Sequence, residues 1–423
     1  MKKQIQEIAA VVVLMLVVFG CNPGHDGPIT PNQFKGSDIE RIQAAVNAAS
    51  GTTNTVTIPG RNNNGTNIWL IDSAILLPGN MTVILDNCTI QLSDQCRDNM
   101  FRSNNAGPGI EEPAQLENIH LIGQGNVLLK GAENPRSTGD GARTLALHPD
   151  SVRAAGNWRV SYGSDAGFPD RKQKGDWRNI MILMAYVDGF TLKNVSIENA
   201  HAWAISFERT RNADLSDIRF DCRERQVVNG REIFISNRDG IDLRHGCKNF
   251  RIHNLRGHTE DDFIALSILG LHSENQQGGT LNSTMVTSRK WRGPEDDIEH
   301  VYISDIVCEA LTRGVAIRAN DSASINHVYI DGLIWKGRYN TILLGGKGYG
   351  KPALPGSIHN VHAMNITGHG RSLVQIEESV ANCTITNGIF TGDGDFITWT
   401  IPEAETSNVI TSNLIRNSAP LPR

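Results

Sequence analysis

The segment VYISDI, residues 301–306, alternates apolar with polar residues and places an aspartate just before its last apolar position. The same pattern, apolar-x-apolar-x-(Asn, Asp or Gly)-apolar, recurs in FTLKNV (190–195), ADLSDI (213–218), FRIHNL (250–255), VYIDGL (328–333), VHAMNI (361–366) and, as a shorter echo, CTITNG (383–388). The third positions of neighbouring copies fall at 192 and 215, at 303 and 330, and at 363 and 385, with longer gaps at insertions. Self-similarity at a nearly constant short period is typical of a solenoid.

Each copy of the pattern predicts one strand of a parallel β-helix coil. Alternation puts one side chain in a stacked core and the next in water, and the Asn, Asp or Gly suits the turn. Residues 37–49 predict a helix, because Ser37 to Glu40 fit a capping box and apolar residues share one face. That helix is placed to cover the open end of the solenoid. The sequence thus predicts an all-β, right-handed, single-stranded parallel β-helix over about 55–415, with an N-terminal capping helix.

The start of the chain predicts export. Lys2 and Lys3 precede an apolar run over residues 8–19 that is too short to span a bilayer, and Cys21 follows, as in a bacterial lipoprotein signal. We expect a signal peptide at 1–21, a tether at 22–36 and one catalytic domain at 37–423. The predicted location is the outer membrane, the cell surface or the periplasm, with a lipid anchor at Cys21. Ordinary secretion is the alternative, and fractionation of a Cys21→Ala variant separates the two.

Charge and cysteine content narrow the partners. The net charge of −5, with acidic and basic residues mixed, argues against nucleic acid, which requires a basic face. We expect a monomer without a cofactor or bound metal. Six cysteines follow Cys21, and we expect buried thiols, with Cys88 and Cys96 as the one local pair to test for a disulfide.

Two acidic segments carry the predicted chemistry, NRDGID (237–242) and EDDFIAL (260–266). The offset from Asp239 to Asp261 equals the length of one coil, so we expect them to lie above one another, about 4.8 Å apart. With Asp262 they would form a cluster in which repulsion raises one pKa into the range of a general acid. Glycoside hydrolysis needs such an acid and a base. Turn residues that bond only the backbone could explain any one of these aspartates, but they explain all three together poorly.

The chain also resembles a known family. IERIQAAVNAA, TVTIPG and ILLPGNMTVILDN are similar to the cap and first coils of the pectin-active β-helix superfamily, and residues 180–320 resemble glycoside hydrolase family 28, the polygalacturonases and their relatives. The family motif N-x-D-G-x-D matches Asn237, Asp239, Gly240 and Asp242, and the motif G-x-D-D resembles Thr259-Glu260-Asp261-Asp262 in its two aspartates only. The resemblance implies that Asp261 is the general acid and that Asp239 and Asp262 hold the nucleophilic water. Two bases suit the positioning of a water and not a covalent intermediate, so we predict inversion of the anomeric configuration.

The chain departs from the family in its substrate-binding motifs. Thr312-Arg313-Gly314 stands where the family has Gly-His-Gly, and the R-I-K motif is missing near 339–346. Arg313 and Arg318 are candidates to bind a uronate carboxylate instead, or else form structural ion pairs. We therefore expect a rhamnogalacturonan or another uronic-acid glycan as substrate. The remaining substrate-binding candidates are Asn237, Asp242, Trp203, His201, Arg238 and His258, with packing as the alternative for Trp203.

Two other function classes fit the same fold. A polysaccharide lyase would need a Lys, Arg or Tyr base, and a glycan-binding protein without activity would not need converging carboxylates. A second acidic pair, Asp296-Asp297, lies in a polar insertion over 270–299 and is not expected to be catalytic. We expect that insertion to form a loop near the cleft.

Overall fold

The computed structural model describes residues 27–96, 98–133, 177–228, 230–235, 237–269, 283–288, 290–319, 323–347 and 354–417. The predicted signal peptide and Cys21 lie outside these residues. The described helix is α1 (Asp38–Ala49), and short 3₁₀ turns occur at Pro31–Gln33, Trp177–Asn179, Gly293–Asp296 and Glu403–Glu405. No helix among the described residues is long and apolar enough to cross a membrane.

The strands are β1 (Thr55–Pro59), β2 (Ile68–Ile71), β3 (Ile75–Leu77), β4 (Met81–Asp86), β5 (Thr89–Leu92), β6 (Phe101–Ser103), β7 (Leu116–Gln124), β8 (Leu128–Lys130), β9 (Ile182–Ala185), β10 (Val187–Glu198), β11 (Ile205–Glu208), β12 (Arg211–Cys222), β13 (Arg225–Val228), β14 (Arg231–Phe234), β15 (Ile241–Leu243), β16 (Lys248–Thr259), β17 (Ile264–Ile268), β18 (Ile298–Ala310), β19 (Arg313–Ala319), β20 (Ile325–Gly337), β21 (Asn340–Leu344), β22 (Ile358–His369), β23 (Ser372–Ile376), β24 (Val380–Phe390), β25 (Ile397–Trp399) and β26 (Ser407–Arg416).

These strands form two long parallel sheets, as in a right-handed parallel β-helix, which confirms the predicted fold. One sheet contains the long strands in the order β1-β4-β7-β10-β12-β16-β18-β20-β22-β24-β26, and the other contains the short strands from β3 to β25. The predicted repeats lie in register, so that Leu192 pairs with Leu215, which pairs with Ile252. Such apolar stacks fill the core along the axis, and burial of apolar surface is the main force that holds the coils together. An antiparallel hairpin, β13–β14, interrupts this arrangement between β12 and β15.

The predicted turn residue of each repeat has a left-handed backbone. The φ angles in the middle of the long strands lie between 53° and 75° at Asn194, Asp217, Asn254, Asp305, Gly332, Asn365, Asn387 and Asn413. We call these residues the Asx column. Asn and Asp tolerate this conformation better than other L-residues, and glycine adopts it without strain. Side-chain amides link successive members, as from Asn413 to Asn387 at 3.1 Å.

Helix α1 covers the first coil, as predicted. The Ser37 N–H donates to the Glu40 carboxylate at 2.7 Å, the Glu40 N–H donates back to the Ser37 hydroxyl at 3.5 Å, and this capping box begins the helix. Its buried face packs on the core, and Gln43 donates to the Leu76 carbonyl at 3.1 Å. The described part of the predicted tether also packs on the domain, because Ile29 pairs with Val56.

The six cysteines of the described chain, Cys88, Cys96, Cys222, Cys247, Cys308 and Cys383, are free and buried. This confirms the expectation of buried thiols, and Cys88 and Cys96 do not form a disulfide. Burial raises the pKa of the Cys222 thiol to about 11, so it is packed as an apolar group and is not a reactive thiolate.

Candidate active site

The three predicted catalytic carboxylates converge at the turns that precede β15 and β17. One oxygen from each of Asp239, Asp261 and Asp262 lies within 4.8 Å of the others, and we call these residues the carboxylate trio. The stacking partner predicted for Asp239 is wrong by one residue. Strand β15 pairs Ile241 with Ile264, and this register continues backwards to place Asp239 beside Asp262, one coil further along the chain.

The local sequence explains the sharp turn at Asp239. A Cβ atom on Gly240 would lie 2.4 Å from the Phe263 carbonyl oxygen, so only glycine allows the two coils to approach this closely. Asn237 takes φ 67°, a conformation that asparagine tolerates. The backbone N–H of Asn237 and that of Arg238 donate to the Glu260 carboxylate at 2.5 and 3.3 Å. Glu260 therefore holds the turn, a role that the sequence pattern did not reveal.

Asp262 is buried and surrounded by cations. Arg318 donates to one of its oxygens, and Arg313 donates to the other at 3.2 Å. The hydroxyl of Thr312 lies 2.7 Å from the same oxygen as Arg313. Burial alone would raise the pKa of Asp262, but these partners outweigh it and hold the pKa below its usual range. Asp262 is the member of the trio that ionises most readily.

Asp261 has the opposite character. Burial, together with the negative charge of Asp262, raises the pKa of Asp261 to about 6. Burial and the neighbouring Asp242 and Asp261 also raise the pKa of Asp239 well above its usual range. The Oδ1 atom of Asp239 has no hydrogen-bond partner among the described residues. Two adjacent carboxyls with opposite shifts are the arrangement that supplies both an acid and a base.

Several predicted substrate-binding residues contact the protein instead. His201 is 2% exposed, and its Nε2 accepts the Ala132 N–H at 2.8 Å. The buried Arg238 guanidinium donates to the Ala200 and Arg223 carbonyls, each at 2.7 Å. The His258 ring lies 3.0 Å from Glu309 on the outer face of β16. The substrate-binding roles of these three residues stay predictions.

Trp203 and Asp242 lie closer to the chemistry. The Arg244 guanidinium is 5.0 Å from the centre of the Trp203 ring, which belongs to a small buried cluster and is 8% exposed. These contacts agree with the packing alternative for Trp203. Asp242 is buried on β15, and burial raises its pKa well above the usual range. Its substrate-binding role stays a prediction.

The insertion after β17 is fixed to the β-helix by buried charges. Glu208 accepts hydrogen bonds from the backbone N–H groups of Val286 and Thr287 at 2.9 and 2.8 Å. Arg209 pairs with Asp296 at 2.7 Å, and both are buried. Asp296 therefore forms a structural ion pair, and the described part of the insertion packs against the end of β11.

Three arginines surround one tyrosine beside the trio. The guanidinium carbons of Arg313, Arg338 and Arg371 lie 5.9, 5.9 and 4.5 Å from the centre of the Tyr339 ring. Arg338 and Arg371 are exposed, and no described carboxylate lies within salt-bridge distance of either. Arg313 connects this arginine cluster to the trio through Asp262. The sequence did not reveal the cluster, because its members come from three different coils.

The fold and the trio together define a parallel β-helix glycosidase, in which a carboxyl of raised pKa lies next to one of lowered pKa. The sequence profile of the Glycosyl hydrolases family 28 matches residues 156–368, and the chain belongs to this family. A comparison with curated protein sequences found no match.

Solved structures share the fold at low sequence identity. The endo-xylogalacturonan hydrolase of Aspergillus tubingensis is 12% identical, with 93% of this chain and 94% of that chain covered and a TM-score of 0.59. A tailspike protein of an E. coli bacteriophage, solved with a pentasaccharide, is 12% identical, with 92% and 65% covered and a TM-score of 0.55. PfbA, a surface adhesin of Streptococcus pneumoniae, is 10% identical, with 92% of each chain covered and a TM-score of 0.50.

Proposed function

We propose that this family 28 protein is an inverting glycosidase that hydrolyses a pectic or other uronic-acid-containing polysaccharide. The observation that carries the proposal is the opposite ionisation of two adjacent carboxyls. The pKa of Asp261 is raised to about 6 by burial and by Asp262, while Arg318 and Arg313 hold the pKa of Asp262 low. Hydrolysis needs one group that gives a proton and one that takes a proton, and the trio has both.

The roles follow from these ionisation states. Asp261 gives its proton to the glycosidic oxygen, so that the bond to the anomeric carbon breaks and the leaving sugar departs as an alcohol. A water attacks that carbon from the opposite face and gives a proton to Asp262. Asp239 accepts the second hydrogen bond of this water, and a neutral carboxyl can do so through its carbonyl oxygen. One proton leaves Asp261 and one arrives at Asp262, so the charge balances.

The spacing of the trio suits one water held by two carboxyls. A water that donates two hydrogen bonds of about 2.8 Å at a tetrahedral angle joins acceptors about 4.6 Å apart. The oxygens of the trio lie within 4.8 Å of one another. Inverting glycosidases usually separate their two carboxyls by ~6.5–9.5 Å and retaining ones by ~5–5.5 Å. The distances within the trio are as short as those of a retaining pair. Inversion is favoured because two carboxyls are present to hold one water. The anomeric configuration of the product is therefore the deciding measurement.

The arginine cluster supports an acidic substrate. A guanidinium binds a carboxylate through two parallel hydrogen bonds, and exposed arginines without acidic partners are available for a uronate. Arg338 and Arg371 meet this condition within the described chain. Arg313 and Arg318, the arginines predicted from the sequence, are instead paired with Asp262. We therefore assign the proposed uronate contacts to Arg338 and Arg371 in place of Arg313 and Arg318.

The test is a panel of pectic glycans, other uronic-acid glycans and a neutral galactan, read by release of reducing ends. We expect release from at least one acidic glycan and none from the neutral one. Proton NMR of the first product should show the inverted anomer, and retention would contradict the roles of Asp239 and Asp262. A product that absorbs in the ultraviolet would indicate a lyase, and release from no glycan would favour a binding protein.

A further inference from the structure

The hydroxyl of Thr312 contacts both reacting carboxyls. Its Oγ1 lies 2.7 Å from Asp261 Oδ1 and 2.7 Å from Asp262 Oδ1. A threonine hydroxyl has a single proton, so it donates one hydrogen bond and accepts the others. Both contacts can be hydrogen bonds only if one of the two carboxyls is protonated and donates back to Thr312.

The surrounding charges decide which carboxyl that is. Asp262 is contacted by Arg318 on one oxygen and by Arg313 on the other. No described guanidinium lies within salt-bridge distance of Asp261, which faces Asp239 and Glu260. Negative charge is therefore more stable on Asp262, which makes Asp262 the better acceptor for the hydroxyl proton of Thr312.

We propose that Thr312 is a positioning residue that keeps the proton on Asp261 and the negative charge on Asp262. The inference rests on the proposed function, in which Asp261 is the acid and Asp262 the base. Thr312 accepts from the Asp261 carboxyl and donates to the Asp262 carboxylate, so one side chain fixes both ionisation states. Substrate binding must then turn the Asp261 proton from Thr312 to the glycosidic oxygen.

Two variants test the direction of the hydrogen bonds. Thr312→Val keeps the shape of the side chain and removes the hydroxyl, while Thr312→Ser keeps the hydroxyl. The carboxyl carbons of ¹³C-labelled aspartates are titrated by NMR in the substrate-free protein, with signals assigned through Asp261→Asn and Asp262→Asn. In Thr312→Val we expect the pKa of Asp261 to fall and that of Asp262 to rise, and in Thr312→Ser we expect both to stay near wild type. A rise at Asp261 in Thr312→Val would show that the hydroxyl donates to Asp261, and would overturn the inference.

Kinetics provide the second measurement. With an acid of lower pKa and a base of higher pKa, the pH profile of kcat should narrow from both sides in Thr312→Val. We expect kcat at its optimum to fall about tenfold, the effect of one hydrogen bond to a charged group, and Thr312→Ser to recover most of it. Thr312→Val with unmoved titrations and an unchanged profile would also overturn the inference.

The two proposals fail separately. The titration needs no substrate, so the expected pKa changes in a protein that hydrolyses no glycan would contradict only the proposed function. Hydrolysis by the wild type with unchanged titrations in Thr312→Val would contradict only the role of Thr312. Circular dichroism of each variant confirms that the fold is intact.

Discussion

The Asx column and the carboxylate trio use the same residue types in opposite ways. The column repeats in consecutive coils, faces solvent, and links its members by side-chain hydrogen bonds such as Asn413 to Asn387 at 3.1 Å. The trio occurs in two coils only, is largely buried, and brings three carboxyl groups within 4.8 Å. In the column the side chain stabilises a left-handed backbone turn. In the trio the backbone places side chains that repel one another when they ionise.

The two regions also differ in how burial affects the free energy of their side chains. An exposed Asx residue in a left-handed turn stabilises its coil modestly, because Asn and Asp tolerate this conformation. A buried carboxyl without a cation opposes its own ionisation, and only partners such as Arg318 reverse that preference at Asp262. Asx residues that repeat from coil to coil therefore indicate a structural role, whereas clustered carboxyls with shifted pKa values indicate a chemical one.

The largest effect should come from the same chemical change made in each region. Asp261→Asn removes the transferable proton, so we expect kcat to fall by about 10²–10⁴ while the glycan still binds. Asp305→Asn, in the exposed Asx column, keeps a residue that tolerates the left-handed turn and should leave kcat within about twofold of wild type. Initial rates and binding isotherms on the active glycan measure both. Near-normal turnover by Asp261→Asn would remove it from the catalytic site.

A smaller effect should follow when the cation beside Asp262 is removed. Arg318→Gln takes away the main charge that holds the pKa of Asp262 down, so that pKa should rise. Because the base must be ionised, the acidic limb of the pH–rate profile should move to higher pH. The lowered pKa of Asp262 stabilises the folded protein above the pKa that this residue has in the unfolded chain, and this stability is lost as the pH falls through the pKa in the folded state. The free energy of unfolding of the variant should therefore depend less on pH in acid.

Arg313→Gln is the matched control for this prediction. Arg313 contacts the same carboxylate but is 21% exposed, against 6% for Arg318, so solvent screens its charge more. We expect a shift in the same direction but smaller. An acidic limb that stays in place in Arg318→Gln would show that Arg318 does not control Asp262. Denaturant unfolding should show a loss of about 3 kcal/mol for Arg318→Gln, since it leaves a buried charge less compensated.

The sequence predicted the periodic features well and the contacts across coils poorly. The repeat revealed the left-handed turn residues, because that conformation and the alternation are local properties of each strand. The convergence of Asp239, Asp261 and Asp262 also followed from a spacing close to one coil. The predicted register at Asp239 was off by one residue. The N–H groups of Glu260 and Asp261 both donate to the Arg238 carbonyl, which adds a residue to the coil at the turn.

The electrostatic partners could not be predicted from the same pattern. Arg318 is separated from Asp262 by 56 residues, and Thr312 from Asp261 by 51. Which side chains of adjacent coils meet depends on the lengths of the insertions between them, and no periodicity encodes those lengths. The contacts of His201 with the Ala132 N–H and of Arg238 with the Ala200 carbonyl also join different coils, and the pattern did not show them.

The smallest effect belongs to the Asx column itself. Asn365 takes φ 55°, donates to Asp331 at 2.7 Å and is solvent-exposed. Asn365→Ala loses the hydrogen bonds to Asp331 and from Asn387 and forces an alanine into the left-handed region, which costs about 1–2 kcal/mol, whereas Asn365→Gly loses the same two bonds without that strain. We therefore expect Ala to lower the free energy of unfolding more than Gly, with kcat unchanged in both. Denaturant unfolding compares the two, and equal losses would show that the hydrogen bonds, and not the left-handed backbone, select asparagine here. A fall in kcat would instead connect the column to the trio and break the separation between the two regions.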